Sequence, residues 1–217
     1  MRGGPSRLRE ALVGGGIALV PTDTVYGLAA WLDSPRGIEA LYALKGRPRD
    51  QPCQVLVYAP PLLAEALGRL DPATARAART LLPGPATCLL PDPPGRYAAA
   101  AGAEAGSVGL RAPRVEGPLT RLDLSLIATS ANRPGAPDPA AVADVPADLL
   151  AGCDEVVDAG PLPGTASAVV DLRGVAGGNP AVLVRPGPDP GAVERALAGA
   201  GCTLVLNDDH DAWGSSA

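Results

Sequence analysis

Residues 41–52 read LYALKGRPRDQP and hold the chain's single lysine, Lys45, one glycine away from Arg47. An ammonium is a compact point charge and a guanidinium a planar fork, so the pair could grip a polyphosphate from two directions. By spacing alone, KxR in a loop is also what solvated surface charges look like. Two further stretches carry chemistry. LIATSANRPG, residues 126–135, brings Ser130 and Asn132 to the end of an apolar run, where ligands of open α/β sheets sit. Such residues equally often bond the backbone of their own turn. In SVGLRAP, Arg111 ends an apolar run, either as a structural ion-pair partner or as a fork for a ligand carboxylate.

Elimination narrows the chemistry. The one histidine is His210, near the C-terminus, so a serine or cysteine nucleophile has no imidazole base in the body of the chain. Cys53, Cys88, Cys153 and Cys202 are far apart and form no CxxC pair, which suggests neither a zinc site nor a disulfide framework. They read as reduced, mostly buried residues of a cytoplasmic protein. Cations, hydroxyls and backbone amides remain, and that set suits transfer at phosphorus, which asks a protein mainly for positioning and positive charge. A net charge of −5 argues against general affinity for nucleic acid or anionic membrane, while leaving room for a local basic pocket. With no Phe, two Trp and four Tyr, stacking platforms for single strands are scarce and the core should be aliphatic.

The elements that must position these groups follow from pattern and punctuation. Helices are expected over about 5–13, 35–44, 61–69, 72–82 and 190–199, and strands over 17–20, 54–58, 86–90, 107–111, 125–129, 167–171 and 181–185. Ser34-Pro35 reads as N-cap and first residue of the second helix, so Lys45-Gly46-Arg47 begins just as that helix stops. Gly14-Gly15-Gly16 runs helix, glycines, strand, the reverse of a phosphate-cradling loop, and is a connector. Strands mixed with helices without strict alternation indicate one α/β domain, about 1–200, with a mixed twisted sheet, followed by a short tail over 201–217. No run of apolar residues is long enough to span a membrane.

Taken in order, PTDTVYGL, KGRP, LPGPAT, GLRAP, TSANRPG, SAVVD and LVRPG resemble the YrdC-like family of threonylcarbamoyl-adenylate synthases, in its short single-domain form, over about residues 15–187. The resemblance implies an α/β fold with a twisted, largely antiparallel sheet flanked by helices around a concave ligand-binding surface. It implies that L-threonine, bicarbonate or CO2 and ATP, with Mg2+, give threonylcarbamoyl-AMP and pyrophosphate. The product would go to a tRNA threonylcarbamoyl transferase complex acting on adenosine-37, with contact to tRNA or double-stranded RNA.

By motif position Lys45, Arg47, Ser130 and Asn132 would be catalytic. Arg47, Gln51, Ser107, Ser130 and Arg185 would hold ATP, and Thr24, Tyr26, Arg111 and Ser167 the threonine; no protein ligand to a metal is implied. The chain departs from the family pattern at Gln51-Pro52-Cys53, at Leu56, where longer relatives carry a histidine, and at Ala168. The competing readings are a carbamoyl-adenylate domain of the hydrogenase-maturation kind, which lacks its cysteine motifs here, and a non-synthase paralogue that binds nucleotide or double-stranded RNA.

Overall fold

A computed structural model describes residues 5–207, so the expectation for the tail, His210 included, falls largely outside the described residues. Helix α1 (Pro5–Val13) leads through the glycine connector into β1 (Ala18–Pro21) and β2 (Tyr26–Trp31). Then come α2 (Pro35–Lys45), β3 (Gln54–Leu56), α3 (Pro60–Gly68), α4 (Pro72–Leu81), β4 (Ala86–Pro91), α5 (Ala98–Ala101) and β5 (Ser107–Arg111). The second half holds β6 (Leu126–Ser130), α6 (Ala147–Ala151), β7 (Glu155–Val156), β8 (Ala168–Asp171), β9 (Ala181–Arg185), α7 (Pro190–Gly199) and β10 (Leu204–Leu206). All the strands join one sheet in the order β10-β9-β8-β4-β5-β3-β6-β2-β1-β7. Five of its nine junctions are antiparallel. Four are parallel.

Five elements are absent from the sequence reading: β2, the short helices α5 and α6, and strands β7 and β10. Strand β2 starts inside PTDTVYGL at Tyr26. Strand β7 is only two residues long and half-buried, too brief to show an alternation. Strand β10 lies within the expected tail and pairs in parallel with β9. Among the described residues no helix is long and apolar enough to cross a membrane.

The sheet has two unlike faces, and the difference builds the site. Successive residues of a strand point to opposite faces. Leu28, Val55, Cys88, Leu110, Ile127 and Val170 point to one side, into the large core. Ile38 and Leu41 of α2, Ala78 of α4 and Leu197 of α7 cover them there. On the other side only a smaller core exists, where Leu8 and Leu12 of α1 with Leu119 and Leu122 cover Ala29, Leu56 and Leu126. Beyond that patch the second face is open, and polar residues such as Gln54, Thr87 and Arg111 line it among aliphatic ones such as Ala128 and Val169.

Candidate functional site

The open face forms a cleft of about 710 Å3, counting the space open to solvent. Its floor is a register of cross-strand neighbours. Arg111 on β5 faces Thr87 on β4, Thr87 faces Val169 on β8, and Val169 faces Arg185 on β9. This single row across four strands places the two arginine backbones ~14 Å apart, at about 4.8 Å per strand. On the other side of β5, Gln54 of β3 faces Ala128 of β6, and Ser130 of β6 faces Gly27 of β2.

The turn between Lys45 and Arg47 explains why a glycine separates them. Helix α2 starts with the Ser34 side chain accepting from the Gly37 N–H and ends with Gly46 in the left-handed conformation at φ 65°. The Gly46 and Arg47 amides close back on the carbonyls of Ala43 and Tyr42. A side chain at Gly46 would be strained there, by about 1–2 kcal/mol. The reversal sends Lys45 inward and Arg47 along the cleft wall.

Lys45 is 5% exposed, and its three N–H donors go to the Ser130 carbonyl at 2.8 Å, the Asn132 carbonyl, and Asn132 Oδ1 at 2.9 Å. Asn132 Oδ1 also accepts from Ser130 Oγ at 2.6 Å, and Asn132 Nδ2 donates to the Ala136 carbonyl and to Asp138 Oδ1. The reading in which Asn132 bonds its own turn is therefore seen directly, and Ser130 also lies on the cleft. Asn132 bonds its own turn, and the turn is locked to Lys45 so that Ser130 lines the cleft. Burial, and then the neighbouring Arg47, pull the Lys45 pKa down to about 8, against the opposing pull of Asp138.

Arg111 is 2% exposed and is the ion-pair partner that one sequence reading expected. Its Nη2 donates to Asp23 Oδ1 at 2.6 Å, Thr24 Oγ1 at 2.8 Å and Thr22 Oγ1 at 3.3 Å. Its Nε is buried without a protein partner, as is Nε of Arg47, whose Nη2 is held by the Pro52 carbonyl at 2.6 Å. Buried guanidinium N–H groups are ordinarily satisfied. Arg47 and Arg111 thus bring two guanidinium charges to the lining of one cleft. Arg185 donates from Nε to the Ser167 carbonyl at 3.1 Å and reaches Ser167 Oγ at 3.5 Å. Burial pulls the pKa of both Arg111 and Arg185 down from the usual arginine value.

The expected site residues sort into three sets. Tyr26, Arg47, Arg111, Ser130, Ser167 and Arg185 line the cleft. Thr24, Lys45 and Asn132 are buried behind that lining and hold Arg111 or Ser130 in place. Gln51 and Ser107 are not brought to it. Gln51 is exposed on the loop after α2. Ser107 begins β5, four residues or ~13 Å from Arg111 at about 3.3 Å per residue, and its hydroxyl donates to the Glu104 carbonyl. The Tyr26 hydroxyl is turned to the 158–160 loop, donating to the Gly160 carbonyl at 2.8 Å and accepting from the Ala159 amide at 2.9 Å. Leu56 lies in the smaller core and does not reach the cleft.

Sequence reasoning missed Gln54, Thr87 and Asp138, which line the cleft, and Asp23, which braces Arg111. Asp23 was within reach, since it sits inside PTDTVYGL; the others depend on sheet register or on the path of a proline-rich loop.

The family model described as Telomere recombination (Sua5_yciO_yrdC) matches residues 10–187. The chain belongs to the Sua5/YciO/YrdC family. Two relatives named threonylcarbamoyl-AMP synthase are similar to it. The one from Pyrococcus abyssi is 32% identical over 181 residues, 81% of this chain and 52% of its own. The one from Bacillus subtilis is 30% identical over 177 residues, 79% of this chain and 49% of its own. The chain thus spans about half the length of these two relatives. The crystal structure of P. abyssi Sua5 complexed with L-threonine superposes with a TM-score of 0.76 at 28% identity, covering 91% of this chain and 58% of that one. The Sua5/YciO/YrdC fold, a mixed and mostly antiparallel sheet flanked by helices, is the one anticipated from the ordered motifs.

Proposed function

We propose that the protein is an L-threonylcarbamoyladenylate synthase, making threonylcarbamoyl-AMP and pyrophosphate from L-threonine, bicarbonate or CO2 and ATP. The observation that carries this reading is the convergence of Arg47, Arg111 and Arg185 on one cleft. Two anionic substrates, an amino-acid carboxylate and a polyphosphate, match that concentration of positive charge. The named relatives and the threonine complex of P. abyssi Sua5 support the choice of substrates.

In this reading the Arg111 fork holds the threonine carboxylate, while Arg47, with Ser130 beside it and the Lys45 charge behind, faces the phosphates. The threonine amine takes up CO2 as a carbamate, losing a proton, or condenses with bicarbonate with loss of water. A carbamate oxygen then forms a bond to the α-phosphorus as the bond to the β-phosphate bridging oxygen breaks. Pyrophosphate leaves carrying that electron pair, next to preorganised positive charge. No enzyme nucleophile or imidazole is needed. Among the described residues no group of three or more His, Cys, Asp or Glu could form a metal cage. Asp138, the one carboxylate in the cleft lining, suits a Mg2+ held mainly by phosphate oxygens and water, which would offset phosphate charge. Delivery of the adenylate to a tRNA threonylcarbamoyl transferase complex in the cytoplasm belongs to the same proposal.

Purified protein with ATP, Mg2+, bicarbonate and L-threonine is expected to release pyrophosphate in a threonine-dependent way. Release without threonine dependence, together with tight binding to duplex RNA, would sink the synthase reading in favour of an RNA-binding paralogue.

The low Lys45 pKa sets a pH dependence. A folded-state value of about 8, below the ordinary lysine value of 10.5, means the buried charge costs stability at neutral pH, a cost relieved as pH rises from about 8 towards 10.5. A bound polyphosphate favours the charged form. Affinity for pyrophosphate is therefore expected to weaken as pH rises through about 8, by up to about tenfold per unit, with proton uptake on binding. Calorimetry in buffers of different ionisation enthalpy measures both. Flat affinity from pH 7 to 9.5 would show that Lys45 does not face the phosphates' field.

A further inference from the structure

Thr87 is 3% exposed, lines the cleft and is the cross-strand partner of Arg111. Facing residues of neighbouring strands have side chains about 5 Å apart, so whatever Arg111 holds is also beside Thr87. Thr80 and Thr120 spend their hydroxyls on the carbonyls of Ala77 and Gly117, three residues back. Thr87 does not. Its Oγ1 donates to Gln54 Oε1 at 3.1 Å and lies 3.2 Å from Ser167 Oγ.

A hydroxyl has one proton and two lone pairs. With the Thr87 proton committed to Gln54, the Ser167 hydroxyl must donate to Thr87, and Arg185 Nη2 reaches Ser167 Oγ from behind. The row therefore runs in one direction, from Arg185 to Ser167 to Thr87 to Gln54. All its hydroxyl protons are consumed, so Thr87 and Ser167 each keep a lone pair and offer the cleft only acceptors. Next to them Arg111 offers a donor. A carboxylate on Arg111 and an O–H on Thr87 and Ser167 together describe a small amino acid carrying a side-chain hydroxyl.

Resting on the synthase reading, we propose that Thr87 is a specificity-determining residue that accepts a hydrogen bond from the β-hydroxyl of the amino-acid substrate. Sites built to bond a substrate hydroxyl reject the analogue lacking it far more strongly than an apolar pocket does.

The test compares pyrophosphate release with L-threonine and with L-2-aminobutyrate, which is threonine without its hydroxyl, in wild type, Thr87→Val and Thr87→Ser. Valine keeps the β-branched shape that suits a strand, and serine keeps the hydroxyl. Wild type is expected to prefer threonine in kcat/KM by about 10²-fold or more. Thr87→Val should cut that ratio at least tenfold, chiefly through kcat/KM for threonine, and Thr87→Ser should retain the preference. An unchanged ratio in Thr87→Val, or an equal loss with both substrates, overturns the role of Thr87 while leaving the synthase reading intact. Absence of threonine-dependent release in wild type overturns both.

Discussion

Replacing Lys45 with alanine is expected to lower threonine-dependent turnover about 10²-fold or more, the scale for removing one preorganised charge-stabilising group. The geometry assigns two parts to the loss. One is the missing charge behind Ser130. The other is the turn itself, because the carbonyls of Ser130 and Asn132 and the amide oxygen of Asn132 all accept from Nζ. Asn132 Oδ1 keeps the Ser130 hydroxyl, but a buried acceptor left with no donor costs about 1–3 kcal/mol. A lowered melting temperature should therefore accompany the lost turnover. A fall in melting temperature with turnover intact would reduce Lys45 to a clamp, and unchanged values of both would overturn both parts.

The second large effect is expected at Arg111. Arg111→Ala removes the fork proposed for the threonine carboxylate and also strands Asp23, whose side chain is 11% exposed in a 2.6 Å ion pair. Loss of one partner of a buried pair costs about 3–5 kcal/mol. Loss of the ligand contact is expected to lower kcat/KM for threonine about 10²-fold or more, since truncating one side of a buried charge pair costs about 2–5 kcal/mol. Arg111→Lys separates the two. It keeps a cation for Asp23 and so most of the stability, but it cannot reproduce the fork and should stay defective for threonine. The KM for ATP is expected to be nearly unchanged in Arg111→Lys. A raised KM for ATP with a normal KM for threonine would move Arg111 to the nucleotide side.

The sequence made the helix around Lys45 legible because its two ends carry strong local signals, Ser34-Pro35 and Gly46. Most apolar strands were legible from their composition, but β2, running straight on from the PTDTVYGL motif, was not. Strands β7 and β10 were not, since two or three residues give no period to read. In the site, Lys45, Ser130 and Asn132 could be grouped from motif order, and the structure adds that Lys45 works through the turn instead of lining the cleft. Ser107 shares a strand with Arg111, but proximity along a strand is not proximity to a site at one end of it. Thr87 was invisible because, within ATCLL, a threonine reads only as a β-branched strand residue. Its meaning comes from facing Arg111, a fact of register between segments more than twenty residues apart.

The row from Arg111 to Arg185 joins two pairs of successive strands, β4 with β5 and β8 with β9, through the junction of β4 with β8, which lie far apart in the chain. No contiguous fragment contains the cleft. As the chain leaves the ribosome, the turn at Thr22 emerges early and Arg185 late, so the anion-binding surface cannot exist before nearly all of the sheet has been synthesised and paired. Non-local pairing of this kind slows folding. Ligand capture is thus among the last properties the nascent chain acquires, and an excess of phosphate ligand can favour the finished sheet but has nothing to hold in a half-made one.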